Sequence, residues 1–105
     1  MVWLVALYSM PEDTLAFDAH YRDIHTPIVR RYPRLRALRS VHPQGMGDRP
    51  PAIYLMTEMG FDSRPDLDAA IASDAGRESG RDLRNFAQAG VTLTVVDDAD
   101  RQVDG

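Results

Sequence analysis

Residues 2–10 open the chain with an almost unbroken apolar run. Val2, Leu4, Ala6 and Tyr8 alternate with Trp3, Val5 and Leu7, so both faces of an extended segment are apolar, which predicts a strand buried on both sides. Pro11 ends it, and Asp13 or Thr14 stands where a helix cap is needed. At about 100° per residue, Phe17, Tyr21, Ile24 and Ile28 then fall in one apolar stripe. Pro27 removes a backbone donor and restricts its neighbour, which predicts a break near His25 and Thr26; a last turn reaches Arg31, with Pro33 closing it.

Residues 34–42 read as a second strand and 43–51, PQGMGDRPP, as a loop. Residues 52–61, AIYLMTEMGF, give the clearest alternation: Ile53, Leu55, Thr57, Met59 and Phe61 on one face, Ala52, Tyr54, Met56 and Glu58 on the other. Ser63 with Asp66 resembles a capping box and starts a short helix to about Ala72. Ser73 starts another, from Asp74 to about Ala89, stopped by Gly90. VTLTVV at 91–96 is a β-branched strand, and the acidic end reads as a frayed tail.

The order strand, helix, strand, strand, helix pair, strand predicts an α+β domain of ferredoxin-like βαββαβ topology with a four-stranded antiparallel sheet, over residues 1–97, followed by an acidic tail at 98–105. The helices can cover only one sheet face. The other is apolar as well, which predicts a homodimer that buries it sheet against sheet.

Composition removes chemistry more than it adds any. The 105 residues suit one domain. Cysteine is absent, which excludes disulfides, thiol nucleophiles and thiolate metal sites; lysine is absent too, which excludes a Schiff base. The net charge of −4 resides mostly in the acidic end, so neither nucleic acid nor a membrane is the expected partner. The start, MVWLVALYSM, lacks a basic export region, and its apolar run is too short for a span; the cytoplasm is the expected location.

Four segments carry a family resemblance: the turn YSMPED, the helix segment FDAHYRDIHTPIVRRYPRLR with its H-x4-H-x-P pattern, the strand PPAIYLMTEMGFDS and the closing NFAQAGVTL. Together, over residues 2–96, the chain resembles the EthD family of the dimeric α+β barrel group. The resemblance implies a homodimer and a pocket between sheet and helices near His25, which matches the second histidine of the helix motif. It is named after an accessory protein of bacterial ether degradation. The wider group includes lactone isomerases, polyketide cyclases and cofactor-independent monooxygenases. No nicotinamide-binding motif is present, and no cofactor is expected.

His25 is the candidate catalytic acid/base, placed at the Pro27 break where a helix end can line a pocket. His20 falls about 60° to one side of the apolar stripe and His25 about 80° to the other, so on a regular helix the two do not converge on one ligand. Their spacing of five also misses the i, i+4 pattern of a helical metal pair, and no metal is expected. Tyr8, Tyr21 and Tyr54 are candidate phenols for a substrate oxygen, with His20 and Glu58 as further substrate-binding candidates. Glu58 has a competing reading as the ion-pair partner of Arg36 or Arg39, and Arg30, Arg31, Arg34, Arg36 and Arg39 read as a solvated or salt-bridged surface. Gly76 and Gly80 each cost about 1 kcal/mol against alanine inside a helix, which points to close packing or to space for a ligand.

The expected activity is cofactor-independent acid/base catalysis, of isomerase, cyclase or lyase type, on a small hydrophobic carbonyl or lactone metabolite. The alternatives are a non-catalytic dimeric binding or accessory protein for an oxygenase pathway, and a cofactor-free monooxygenase.

Overall fold

Strand β1 (Val2–Ser9) is central because its apolar residues have neighbours on both edges. It pairs antiparallel with β3 (Ile53–Phe61) on one side and β4 (Val91–Asp97) on the other, and β2 (Ala37–Val41) adds to the far edge of β3. The sheet order is β2-β3-β1-β4, and the fold is α+β and ferredoxin-like. The computed structural model describes residues 1–100.

Alternation along the strands sorts the faces. Val2, Leu4, Ala6 and Tyr8 of β1 sit in register with Phe61, Met59, Thr57 and Leu55 of β3 and face the helices. From the helical layer come Phe17, Val29, Tyr32, Leu67, Ala70, Ala75 and Phe86, which close the core over that face. The opposite face presents Trp3, Val5 and Leu7 beside Met56, Glu58 and Gly60 on one side and Thr92, Thr94 and Val96 on the other. The Trp3 ring lies over Gly60, where an added Cβ would come within 2.8 Å of it.

Two expectations about the strands change. The register slips between Tyr8 and Ser9, so β3 bulges at Tyr54 and turns that ring to the helix side, edge-on to Phe17 at 5.4 Å. Tyr54 therefore does not share a face with Glu58. The start of the acidic end is also held rather than frayed: Asp98 N–H donates to the Met1 carbonyl at 3.0 Å, and its carboxylate accepts from the Trp3 indole at 3.1 Å. Residues 101–105 of the expected tail lie outside the described residues.

The first helical segment departs most from a regular pattern. Helix α1 (Thr14–His20) is capped by Asp13, whose carboxylate accepts from the Ala16 N–H at 3.0 Å. A π turn follows over Tyr21–His25, and α2 (Thr26–Val29) resumes directly after it. Pro27 is the physical cause. In a regular α-helix its ring would meet the carbonyl four residues back and leave that carbonyl without a donor. The wider turn, in which the Thr26 N–H reaches the Tyr21 carbonyl, lets the chain pass Pro27 without breaking. The expected interruption is thus a widening.

Helix α3 (Arg64–Ala72) begins at the Ser63 cap, and α4 (Asp74–Phe86) at the Ser73 cap. Both capping hydroxyls accept a backbone N–H three residues on. No helix among the described residues is long and apolar enough to cross a membrane.

Candidate active site

Helix α4 carries the residue that organises the site. Ala75, Ser79, Asp82 and Phe86 recur at spacings of four, three and four and form its buried stripe. Asp82 on that stripe is only 6% exposed. Its carboxylate is surrounded by donors: His20 Nε2 at 2.9 and 3.1 Å, His25 Nδ1 at 2.9 Å and Asn85 Nδ2 at 3.0 Å. A carboxylate accepts only, so His25 carries its neutral-state proton on Nδ1 and His20 carries its own on Nε2. Those hydrogen bonds outweigh the burial penalty and hold the Asp82 carboxyl below the usual range.

The two histidines do converge on one partner, contrary to the regular-helix expectation. The π turn supplies the reason. Its hydrogen bonds link residues five apart, so His20 and His25 lie on one side of the segment and face α4 together. Both rings also pack on Phe86, with centroids at 5.0 and 4.7 Å. Burial lowers the His25 pKa; the Asp82 hydrogen bond offsets part of that.

His25 lines a cavity of about 130 Å³ between the sheet and α4. Its walls are Leu4, Ala6 and Met59 from the sheet, Val29 from α2 and Leu83 from α4, with Ile71 and Leu93 near the surface. The His25 Nε2 makes no hydrogen bond among the described residues, and neither does the Tyr8 hydroxyl, whose ring lines the same cavity. Burial pushes the Tyr8 phenol strongly up, so it stays protonated and can donate. The other lining hydroxyls are engaged. Tyr21 bonds Ser40 and Thr57 at 2.5 and 2.6 Å, and Tyr32 bonds Ser79, which donates to the Gly76 carbonyl at 3.0 Å.

Both glycines of α4 now have separate reasons. An alanine Cβ at Gly76 would lie 2.2 Å from the Ala70 carbonyl oxygen, so α3 and α4 meet there as only glycine permits. A Cβ at Gly80 would meet nothing within 4 Å, and Gly80 lines the cavity.

The remaining sequence candidates fall elsewhere. Tyr54 is off the cavity: its hydroxyl donates to Asp18 at 2.8 Å, and burial with that carboxylate pushes its pKa up to about 12. Glu58 is on the open sheet face and accepts from Arg39 at 2.9 Å. His20 borders a separate polar groove shared with Glu12, Asp13 and Asn85. His42 Nδ1 donates to the Tyr54 carbonyl at 2.7 Å. Arg31, Arg34, Arg36 and Arg39 pair with Glu78, Asp66, Asp62 and Glu58. No group of three described His, Asp or Glu side chains is arranged to hold a metal ion.

Asp82 was the residue missed from sequence. Its signal was a carboxylate on the 75–79–82–86 stripe, between Ser79 and Phe86, where a solvated residue has no place.

The family model of the EthD domain matches residues 10–90. The chain belongs to the EthD family. A curated relative, an uncharacterized 11.0 kDa protein in the thcB-thcC intergenic region of Rhodococcus erythropolis, is 31% identical over 98 residues, covering 93% of this chain and 95% of that one. The crystal structure of an EthD family protein from Bacillus halodurans C-125 is 39% identical with a TM-score of 0.88, covering 93% of this chain and 98% of that one. Two further structures share the fold alone. SnoaB of Streptomyces nogalater, described as a cofactor-independent oxygenase, gives 11% identity, a TM-score of 0.68 and coverage of 98% and 97%. A dimeric ferredoxin-like protein of unknown function from Jannaschia sp. CCS1 gives 13%, 0.67 and coverage of 91% and 97%. In this EthD-family chain the histidine pair of the helix motif and Asp82 thus form one hydrogen-bonded unit.

Proposed function

We propose that this EthD-family protein is a cofactor-independent acid/base catalyst acting on a small, largely apolar carbonyl or lactone compound. One observation carries the reading: Asp82 anchors His25 through Nδ1, which leaves the lone pair of Nε2 on the side of an apolar cavity. In the reaction, Nε2 takes a proton from the carbon beside the carbonyl. The C–H electron pair becomes an enolate, and its oxygen accepts from the Tyr8 O–H. With a β,γ-unsaturated carbonyl compound the enolate is a dienolate, and the imidazolium returns the proton to its γ carbon, which moves the double bond into conjugation without redox change.

The cavity volume of about 130 Å³ is near the roughly 150 Å³ that admits one benzene-sized ring. The substrate body is therefore about one six-membered ring, and Ile71 and Leu93 border the cavity where a longer apolar group would emerge. The working unit is a homodimer, with the apolar face of Trp3, Val5 and Leu7 buried between copies. The dimeric ferredoxin-like neighbour supports that arrangement.

The test is hydrogen–deuterium exchange beside the carbonyl of cyclohexanone and δ-valerolactone in heavy water, followed by NMR. Exchange accelerated by the protein and lost in His25→Gln supports the reading. Binding of either probe with no acceleration by the protein refutes catalysis and favours a binding module. Oxygen uptake with an activated phenol would move the assignment to a monooxygenase.

A further inference from the structure

His20 sits outside the cavity, yet it makes two of the contacts to the carboxylate that orients His25. Its side chain is 21% exposed, against 6% for His25, and it borders the groove lined by Glu12, Asp13 and Asn85. The two imidazoles are therefore reached from different sides of α4 while sharing one anion between them.

We propose that His20 is a positioning residue of this site: it fixes the Asp82 carboxylate that aims His25, and through that carboxylate a proton on either histidine opposes a proton on the other. The proposal rests on the reading of His25 as the base, and it adds who controls that base.

The geometry gives two consequences. First, Asn85 Nδ2–H bonds Oδ1, His20 Nε2–H reaches both Oδ1 at 2.9 Å and Oδ2 at 3.1 Å, and His25 Nδ1–H bonds Oδ2. Two donors from one side fix the carboxylate plane, as outer hydrogen bonds orient the ligands of a catalytic group. Second, one carboxylate can balance one imidazolium fully but not two. When His20 is charged, Asp82 is already neutralised, and an imidazolium at His25 would be buried against it without compensation.

The other groups facing this pair do not supply competing charge. Tyr8 of β1 and Tyr32 after α2 carry phenols pushed up by burial. The Tyr21 hydroxyl of the π turn is engaged by Ser40 and Thr57. Asp82 is the carboxylate from α4, and Glu12 and Asp13 border only the groove on the His20 side. His20 is thus the point where external pH, through a partly open groove, reaches a base in an apolar cavity.

The test uses the full-length protein and needs no substrate. Proton–nitrogen NMR of the histidine rings should show the neutral His25 proton on Nδ1 and the neutral His20 proton on Nε2; the opposite tautomers would overturn the proposal. His20→Gln keeps an amide donor for Asp82 but cannot be charged. In that variant the titration midpoint of His25 should rise by at least half a unit, about threefold in proton affinity. An unmoved His25 midpoint in folded His20→Gln sinks the coupling. Should that variant fail to fold, the wild-type curves decide: broadened, interdependent titrations support the proposal, and two independent one-proton curves refute it. Absent coupling would leave the carbonyl-exchange result standing, and absent exchange would leave the coupling standing, so the two failures are distinguishable.

Discussion

His25 Nδ1 lies 2.9 Å from Asp82 Oδ2, joining a histidine just before a proline-induced π turn ends to a carboxylate 57 residues later on α4. That bond links the first helical segment to the last and orients the ring that lines the cavity. The stability of the fold and the chemistry of the site therefore depend on the same carboxylate.

Replacing Asp82 with alanine removes the acceptor for His20, His25 and Asn85 at once. Buried donors left without a partner cost far more than the net value of the bonds they made. Asp82→Ala should lose about 3 kcal/mol of unfolding free energy. Asp82→Asn, which keeps one acceptor oxygen, should lose less. Urea denaturation followed by circular dichroism measures both.

Acid should weaken the fold in two stages. The folded pKa of His25 is lowered from 6.5, so as pH falls through 6.5 the unfolded chain takes up a proton that the folded chain refuses. Stability then declines until the folded value is reached. Asp82, lowered from 3.8, contributes stability that is present above 3.8 and lost as pH falls through its folded value. The urea midpoint should start to drop as pH falls through 6.5, the ordinary histidine value, and His25→Gln should flatten that part of the profile. An equal slope in the variant would count against His25 as its source.

The two glycines of α4 should respond in opposite directions. Gly80→Ala places its Cβ in open space and gains helix propensity, so it should stabilise by about 0.5–1 kcal/mol. Gly76→Ala drives a Cβ against the Ala70 and Ile71 carbonyl oxygens and should destabilise by about 2 kcal/mol. Gly80→Phe should fold and yet lose binding of cyclohexanone, because its ring projects into the cavity that Gly80 lines. Thermal unfolding and isothermal titration separate the three.

Leu7 lies in the middle of the open sheet face, opposite Met56 on β3 and Thr92 on β4. Leu7→Glu puts a charge there without touching the helix-side core. Sedimentation at micromolar concentration should give the mass of a dimer for the wild type and of a monomer for the variant. A monomeric wild type would remove the dimer from the proposed working unit.

Much of the architecture was legible because it rests on local rules. Alternation in β1 and β3 and the Ser63 and Ser73 caps locate the starts of their elements within a residue or two, whereas α4 ends at Phe86 and not near Ala89, and Gly90 instead precedes β4. Tyr54 shows where such rules end. Strict alternation puts it with Glu58, and the bulge at Tyr54 turns it toward Phe17, because register is settled between strands and not within one. Glu58 itself was half legible: its arginine partner was among those expected, and its place on the open face removes it from the cavity.

His25 could be picked from its chain neighbourhood, but its partner could not. By itself the sequence determined the βαββαβ order, the two apolar sheet faces and the helix motif that carries both histidines, since periodicity, caps and turn residues act over a few neighbours. Only the tertiary structure decided that His20 and His25 meet. Pro27 widens one turn, the wider turn brings residues five apart to one side, and α4 then places Asp82 between them. A regular helix built from the same residues would have kept the two histidines apart, because their convergence depends on a turn geometry and a distant carboxylate that no local pattern encodes.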